Sequence, residues 1–218
     1  MMKRENHFLA LFIFISIFLT ASPADGQAIE NRFQTRTSLE FSKEIIRNLE
    51  FELTPELRWD EGFQIDRFLL NSELQYKIFD FWSVSAGYRF IGNSNAENGT
   101  EFLHRYQFKM VFKTDIKRWE PGFGLYHTNF SDDNDGSAFL RYKSFLSRDI
   151  RKCRFTPKAG FEIFHQLDAR SIYKLRYSVD LEYRLTKTMD LGAGYKLDYY
   201  MTKYQNRHIF DLGLKVKF

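Results

Sequence analysis

Histidine side chains are the first candidates for chemistry in this sequence, because imidazole exchanges protons and binds metals near neutral pH. There are five, at positions 7, 104, 127, 165 and 208. The last four would suit a lipid-modifying site, in which a histidine works with a serine or an aspartate. No Gly-x-Ser-x-Gly motif and no clustered His–Asp pair accompanies them. We therefore expect no catalytic residue, no metal site and no cofactor.

Charged side chains are the second candidate group, and over the last third of the sequence they alternate with apolar ones. From Tyr173 to Arg184 every odd position is Tyr, Leu or Val, and all but one of the even positions are charged. Successive side chains of a β-strand point to opposite faces, so this segment predicts a strand with one apolar and one charged face. The same alternation returns over residues 190–201 and 207–218.

The length of these segments distinguishes between two kinds of β protein. Strands of soluble proteins have about 5–6 residues, whereas the predicted strands have about 11–13, enough for a tilted strand to cross a bilayer. The pattern predicts eleven segments and an all-β fold, an antiparallel up-and-down transmembrane β-barrel of about 10–12 strands. Because single-chain bacterial barrels have an even number of strands, twelve is the preferred number, with residues 25–32 as a short additional strand. A soluble lipocalin-like barrel is the structural alternative.

The connections between the predicted strands alternate in length. Longer polar loops are expected at Asp60–Asp66, Gly92–Thr100 and Ser131–Gly136. Barrels of this kind have short periplasmic turns, so the last strand would run toward the periplasm and end at Phe218. Pro55 lacks a backbone N–H and predicts a bulge or weakened pairing in the second strand. The short turns are predicted at residues 43–48, 79–81, 114–118, 148–154 and 186–188.

The charged faces would line the interior of the barrel. Both signs are present in quantity, and buried charges are tolerated only when they are paired. A salt-bridged, plugged interior is therefore one expectation, and a narrow polar pore is the other. The candidate lumen-lining residues are Glu52, Glu56, Arg58, Arg105, Lys109, Arg141, Arg176, Asp180, Glu182 and Arg184.

The N-terminus has the three parts of a secretory signal peptide. Lys3 and Arg4 precede an apolar run over residues 8–19, and small residues follow it. We expect a signal peptide over residues 1–26, cleaved somewhere in 24–28, and a single barrel domain over residues 27–218. The lone Cys153 allows no intramolecular disulfide, and we interpret it as a turn residue.

Composition supports the same class of protein. Aromatic residues make up 18% of the chain, yet the mean hydropathy is −0.44. A membrane helix bundle needs long apolar runs, whereas a barrel needs only half of each strand to be apolar. Basic and acidic residues are interspersed, so no nucleic-acid partner is expected. The expected location is the bacterial outer membrane, and the expected partners are outer-membrane lipid and the envelope assembly machinery.

Four aromatic-rich stretches carry a family resemblance: Phe51–Trp59, Leu74–Phe90 (LQYKIFDFWSVSAGYRF), Phe155–Phe164 and Leu175–Leu185. They resemble outer-membrane barrels grouped as domain-of-unknown-function family 2490 (DUF2490). The resemblance covers essentially the whole mature chain. It implies a barrel of diderm bacteria and implies no activity, ligand or catalytic residue.

The functional expectation has two branches. The first is a non-enzymatic outer-membrane barrel, structural or forming a narrow, largely plugged polar pore for small solutes. The second is an enzyme that modifies envelope lipid from the extracellular rim. Asp132, Asp133 and Asp135 in the polar loop are a minor candidate for Ca²⁺ binding, since hard cations prefer oxygen ligands. Their spacing does not match an EF-hand.

Overall fold

The computed structural model describes residues 29–96, 99–130, 136–201 and 203–218, and they form a closed β-barrel. Strands that follow one another in the chain pair antiparallel, and β1 closes the barrel against β11. No helix in the described ranges is long and apolar enough to cross a membrane. The eleven strands are β1 (Glu30–Ile46), β2 (Leu49–Trp59), β3 (Ile65–Phe79), β4 (Trp82–Ala96), β5 (Gly99–Lys113), β6 (Trp119–Thr128), β7 (Phe139–Arg148), β8 (Phe155–Gln166), β9 (Ser171–Arg184), β10 (Met189–Tyr200) and β11 (Gln205–Lys217).

The predicted all-β barrel is confirmed, with a difference in strand number and closure. Eleven strands lie within the predicted range of 10–12, one fewer than the preferred twelve. Residues 30–32, proposed as part of a twelfth strand, instead begin β1. An odd number of strands makes the closing pair parallel, and Glu30 to Ser42 lie beside Gln205 to Lys217 in register. The predicted signal peptide and its cleavage zone are outside the described residues.

The two faces of the barrel follow the period-2 alternation of the sequence. On β9, Val179 is 63% exposed on the outer face, whereas Lys174 on the inner face is 1% exposed. Leu212 on β11 shows the same outward exposure at 53%. Large apolar side chains therefore cover the outside, and charged side chains fill the inside. This is the reverse of the distribution in a soluble protein.

The chain leaves the barrel at two ends, which we name by the residues found there. The C-terminal mouth holds Phe218 and the connections at residues 47–48, 80–81, 114–118, 149–154 and 185–188. The N-terminal mouth holds Ile29 and the remaining connections. The predicted short turns therefore share one mouth with Phe218. The difference in length between the connections at the two mouths is smaller than predicted. At the N-terminal mouth only the 129–138 connection is longer than these turns.

The predicted polar loop at Gly92–Thr100 is wrong for most of its length. β4 continues to Ala96 and β5 begins at Gly99, and Asn93 pairs with Glu101 within this extension. Asparagine and glycine disfavour strands when side-chain packing decides the structure. Here the backbone ladder continues to Ala96 and Gly99.

The first predicted turn is shorter than expected. Strand β1 extends to Ile46, and the turn consists of Arg47 and Asn48. Asn48 has φ = 69°, a left-handed conformation that asparagine tolerates better than most residues.

Pro55 weakens one pairing without creating a bulge. Its register with Leu70 of β3 is regular. On the β1 side the ladder is interrupted at Leu39 and Glu40, opposite Pro55 and Thr54, and resumes in the same register. The missing N–H of proline explains the interruption.

Candidate functional site

The charged interior is the candidate site, and the ten predicted residues differ in how deeply they are buried in it. Arg58, Arg105 and Arg176 are buried, and Glu182 and Arg184 are exposed at the C-terminal mouth. The other five have intermediate exposure: Glu52, Glu56, Lys109, Arg141 and Asp180.

Asp198 is the centre of the most buried ion-pair cluster. Its side chain is 0% exposed and accepts hydrogen bonds from the Lys174 ammonium at 2.8 Å and from two guanidinium nitrogens of Arg176 at 2.5 and 2.8 Å. Register explains the contact, because Asp198 on β10 lies directly opposite Arg176 on β9. A carboxylate that takes three charge-assisted hydrogen bonds compensates for the desolvation of two cations.

Glu162 on β8 is the second such acceptor. Arg141 of the neighbouring β7 donates to it at 2.5 Å, and the Lys143 ammonium lies 3.1 Å from its other oxygen. The ring of Phe164 lies next to this pair, with the Arg141 guanidinium 4.6 Å and the Lys174 ammonium 4.7 Å from its centroid. Cation–π contacts therefore join the Glu162 and Asp198 clusters through one aromatic ring.

Ion pairs continue across the opposite wall. The Lys109 ammonium of β5 pairs with Glu73 of β3, to which the Gln107 amide also donates at 3.1 Å. On β2 the Arg58 guanidinium donates to Glu56 at 2.6 Å. Ion pairs thus connect neighbouring strands on both walls, and the interior is a polar side-chain network held by the β-sheet.

Two apolar clusters occupy the interior near the N-terminal mouth. The first contains Phe139, Phe164, Tyr173 and Tyr200, which lie at or near the ends of β7, β8, β9 and β10 at that mouth. The second contains Leu69, Ile91 and Phe130, with Leu103 packed against it. Together with the buried Asp198 cluster, these two layers form a dense constriction on the N-terminal side of the lumen.

The sequence contains a signal for Phe139 and Phe164, although their contact is visible only in the fold. The available signal was position, because both are bulky apolar residues on a charged face and both lie close to a strand end. Phe130 gave no periodic signal, since it lies in the 129–138 connection.

The interior is open toward the C-terminal mouth. A polar cleft of about 410 Å³ lies at that mouth. A second cavity of about 320 Å³ lies deeper, between β1, β2 and β8–β11. Lys158 and Glu182 line both, so the two spaces are contiguous. A polar cleft of about 430 Å³ also lies at the N-terminal mouth, so the dense layers form a constriction between two solvent-accessible ends.

With this geometry established, comparison with known protein families finds a match over residues 33–210, to a family described as a protein of unknown function, DUF2490. The chain belongs to the DUF2490 family. The resemblance found in the aromatic stretches of the sequence is thereby confirmed. No curated protein matches the chain.

The histidines of this DUF2490 chain lie away from the charged interior. His104 and His127 are exposed and His165 and His208 are partly exposed, all close to the N-terminal mouth. The Tyr88 hydroxyl lies 2.5 Å from Nδ1 of His104, and the Tyr195 hydroxyl lies 2.6 Å from Nδ1 of His208.

These Tyr–His pairs have no carboxylate partner and form no metal site among the described residues. No described carboxylate forms an ion pair with any of the four histidines, and no described group of three His, Cys, Asp or Glu side chains could hold a metal ion. The Ca²⁺ candidates Asp132, Asp133 and Asp135 lie outside the described residues.

Proposed function

We propose that this DUF2490 protein is an outer-membrane β-barrel with a largely plugged interior, which acts as a structural protein or as a narrow polar pore for small solutes. The observation that carries the proposal is the reversed distribution of side chains. Val179 and Leu212 are more than half exposed, whereas Arg58 and Lys174 are 1% exposed. An apolar outer surface of this kind is compatible with the acyl chains of a bilayer. In water, the same surface would cause the protein to aggregate.

The spacing of outward aromatic and histidine residues supports a membrane span. His104 and Phe112 on β5 are eight residues apart, and Phe155 and His165 on β8 are ten residues apart. At about 3.3 Å per residue these intervals are ~26–33 Å along the strand. A strand tilt of about 40° reduces them to ~20–25 Å along the barrel axis, which fits the apolar band of about 25 Å in outer-membrane barrels.

The outward rings at the C-terminal mouth have the chemistry of an interfacial belt. Phe79 stacks on Phe81 with a centroid distance of 5.5 Å, and Trp82 stacks on Phe112 at 5.5 Å. Trp119 carries the Arg148 guanidinium 4.7 Å from its ring. Amphipathic and aromatic rings of this kind concentrate at headgroup level.

The orientation follows from the turns and from the final aromatic residue. The C-terminal mouth holds the five predicted turns and Phe218, so we assign it to the periplasm. The leader predicted over residues 1–26 would deliver the chain for export. Outer-membrane lipid and the envelope assembly machinery are the partners that such a barrel requires.

A plugged interior is favoured over an open channel. Two apolar layers and the Asp198 cluster lie on the N-terminal side of the lumen, between the polar cleft at the C-terminal mouth and another polar cleft of about 430 Å³ at the N-terminal mouth. A path through the wild-type barrel would require displacing these apolar side chains or breaking buried ion pairs, and a broken pair is costly when one partner is left alone. We therefore propose that any conductance of the wild-type barrel is small.

Lipid modification from the rim is the second candidate, and the Tyr88–His104 hydrogen bond favours it, because a phenol beside an imidazole can take part in proton transfer. A histidine-dependent change in envelope lipid would support this alternative. A His104→Ala variant that leaves the lipid profile unchanged would remove it.

The test uses the full-length mature chain refolded in detergent. Intact membrane barrels migrate differently on gels before and after heating, and we expect this shift here. In planar bilayers we expect little conductance from the wild type and discrete steps from the Phe139→Ala/Phe164→Ala double variant. Leu140→Ala, an outward neighbour on the same strand, is the matched control and should conduct no more than the wild type.

Two results would contradict the proposal. A mature chain that stays soluble and monomeric without detergent would refute the membrane location. Large conductance steps from the wild type would refute the plug while leaving the membrane location intact.

A further inference from the structure

The deeper cavity of about 320 Å³ lies beside three inward glycines. The Asp180 carboxylate and the Ser38 hydroxyl occupy the space above Gly194 and Gly213, and only Gly192 leaves its space open. Gly192 and Gly194 lie on β10 and Gly213 lies on β11, and Gly192 and Gly213 are direct neighbours across the ladder. A Cβ atom placed on Gly192 would meet nothing closer than the Gly213 carbonyl oxygen at 3.8 Å. The space above Gly192 is therefore open. Glycine weakens a strand interior and commonly marks a close approach by another group.

The walls of this cavity present hydrogen-bonding groups of both signs. Lys196 pairs with Asp211 at 2.5 Å, so these two charges largely satisfy each other. No described residue donates a hydrogen bond to Asp180 or Glu182 of β9, and neither forms an ion pair with a described residue. The Lys158 ammonium, which faces them from β8, lies 4.9 Å from the Phe145 ring and forms no ion pair with a described residue. Among the described residues, two carboxylates without a hydrogen-bond donor and one ammonium without an ion pair therefore line the same space.

These walls select against a small ion. An anion would approach Asp180 and Glu182 at close range, and a compact cation would approach Lys158. A neutral solute with several hydroxyl groups meets both kinds of group at once, because each hydroxyl donates one hydrogen bond and accepts others. A volume of about 320 Å³ is within the usual range for small-molecule sites.

We propose that this cavity binds a small polyhydroxylated solute of the sugar class that carries no negative charge. The solute enters from the C-terminal mouth through the cleft that shares Lys158 and Glu182 with the cavity. The buried aromatic layer closes the cavity on its N-terminal side, so the solute leaves through the C-terminal mouth. The proposal relies on the proposed function only for the compartment, the periplasm, from which the solute enters.

The test measures binding of three probes that share one ring: D-glucose, D-glucosamine and D-glucuronate. The refolded full-length mature chain is studied by saturation-transfer NMR in a zwitterionic detergent, since glycoside detergents would compete for the site. We expect glucose and glucosamine to bind with a Kd on the order of 1 mM. We expect glucuronate to bind at least tenfold more weakly, because its carboxylate would face Asp180 and Glu182.

A matched pair of variants assigns the binding to the cavity. Gly192→Leu fills the open space and should weaken glucose binding at least tenfold. Ala193→Leu adds a comparable apolar side chain to the next residue, on the outer face, and should leave binding within twofold of the wild type. Glu182→Leu changes an exposed side chain at the neck, where folding is little affected, and should weaken binding at least fivefold.

The outcomes separate this inference from the proposed function. Absence of glucose binding at 50-fold the expected Kd, or unchanged binding in both Gly192→Leu and Glu182→Leu, would overturn the sugar site. If Gly192→Leu loses its heat-modifiable migration, Glu182→Leu alone decides. A chain that binds glucose but needs no detergent would refute the membrane location and leave the site standing.

Discussion

Replacing Asp198 with asparagine is the sharpest perturbation of the interior. The substitution preserves the shape of the side chain but removes the charge that balances Lys174 and Arg176, with which Asp198 makes contacts of 2.5–2.8 Å. Both cations stay buried, at 1% and 7% exposure. Removing one partner from a buried ion pair costs about 3–5 kcal/mol, mostly because the remaining charge lacks compensation. We expect Asp198→Asn to lower the free energy of unfolding by that amount.

Asp190→Asn is the matched control. Asp190 also accepts from a lysine, with a distance of 2.7 Å to the Lys217 ammonium, but that lysine is 48% exposed. An exposed pair contributes about 0–1 kcal/mol. The assay is urea unfolding in lipid vesicles, followed by tryptophan fluorescence and by heat-modifiable migration.

The triple variant Lys174→Met/Arg176→Leu/Asp198→Leu tests the physical reason. Replacing a whole buried ionic cluster by apolar side chains of similar size is often neutral or stabilising. We therefore expect the triple variant to be more stable than Asp198→Asn alone. If Asp198→Asn and Asp190→Asn cost the same, or if the triple variant is the least stable of the three, the account of a charge-balanced interior is wrong.

Three further predictions concern the two faces of the wall. Val179→Arg places a charge on the outer face and should cost about 2–4 kcal/mol in vesicles if that face contacts lipid; a cost below 0.5 kcal/mol in the same urea titration would mean that it faces water. Gly122→Ala should destabilise the barrel by about 1–3 kcal/mol, because its Cβ would collide with the Phe145 ring. Adding Phe145→Ala should remove the collision but would not restore the contacts that the ring makes. All three tryptophans lie on the outer face, so lipids brominated near the headgroup should quench most of the fluorescence; unquenched emission would place these rings in water.

The faces of the wall were predictable from the sequence because they depend on local alternation alone. The outward Val179 and the inward Arg176 follow directly from the period of two between Tyr173 and Arg184. A one-residue slip would expose every charged side chain of this strand to the apolar surroundings, so the pattern is strongly constrained. The same argument applies to β10 and β11.

The specific ion pairs were not predictable. Asp198 contacts Lys174 and Arg176 because β9 and β10 pair in one register, and that register depends on the backbone of the 185–188 connection. Charge composition alone is equally compatible with other partners. Sequence reasoning selected Arg176 as a site candidate but not Asp198, the most buried acid of the cluster.

The strand boundaries and the strand number were harder to predict from the sequence, because they also depend on backbone pairing. Gly92 to Ala96 look like a loop by composition, yet they extend β4, because a hairpin ladder can continue on backbone hydrogen bonds alone. The even strand number was expected from other bacterial barrels. Nothing in the alternation of side chains distinguishes a parallel closing pair from an antiparallel one.

The parallel seam between β1 and β11 has a topological consequence. Thirteen residue pairs lie side by side along it, from Glu30 with Gln205 to Ser42 with Lys217. At about 3.3 Å per residue and a tilt of about 40°, the two ends of the seam are ~30 Å apart along the axis. The polypeptide therefore departs from opposite rims, and a circular permutant could not be made with a short aqueous linker. In the proposed membrane location, reporters fused before Ile29 and after Phe218 would sample different compartments, and insertion would carry one terminus across the bilayer.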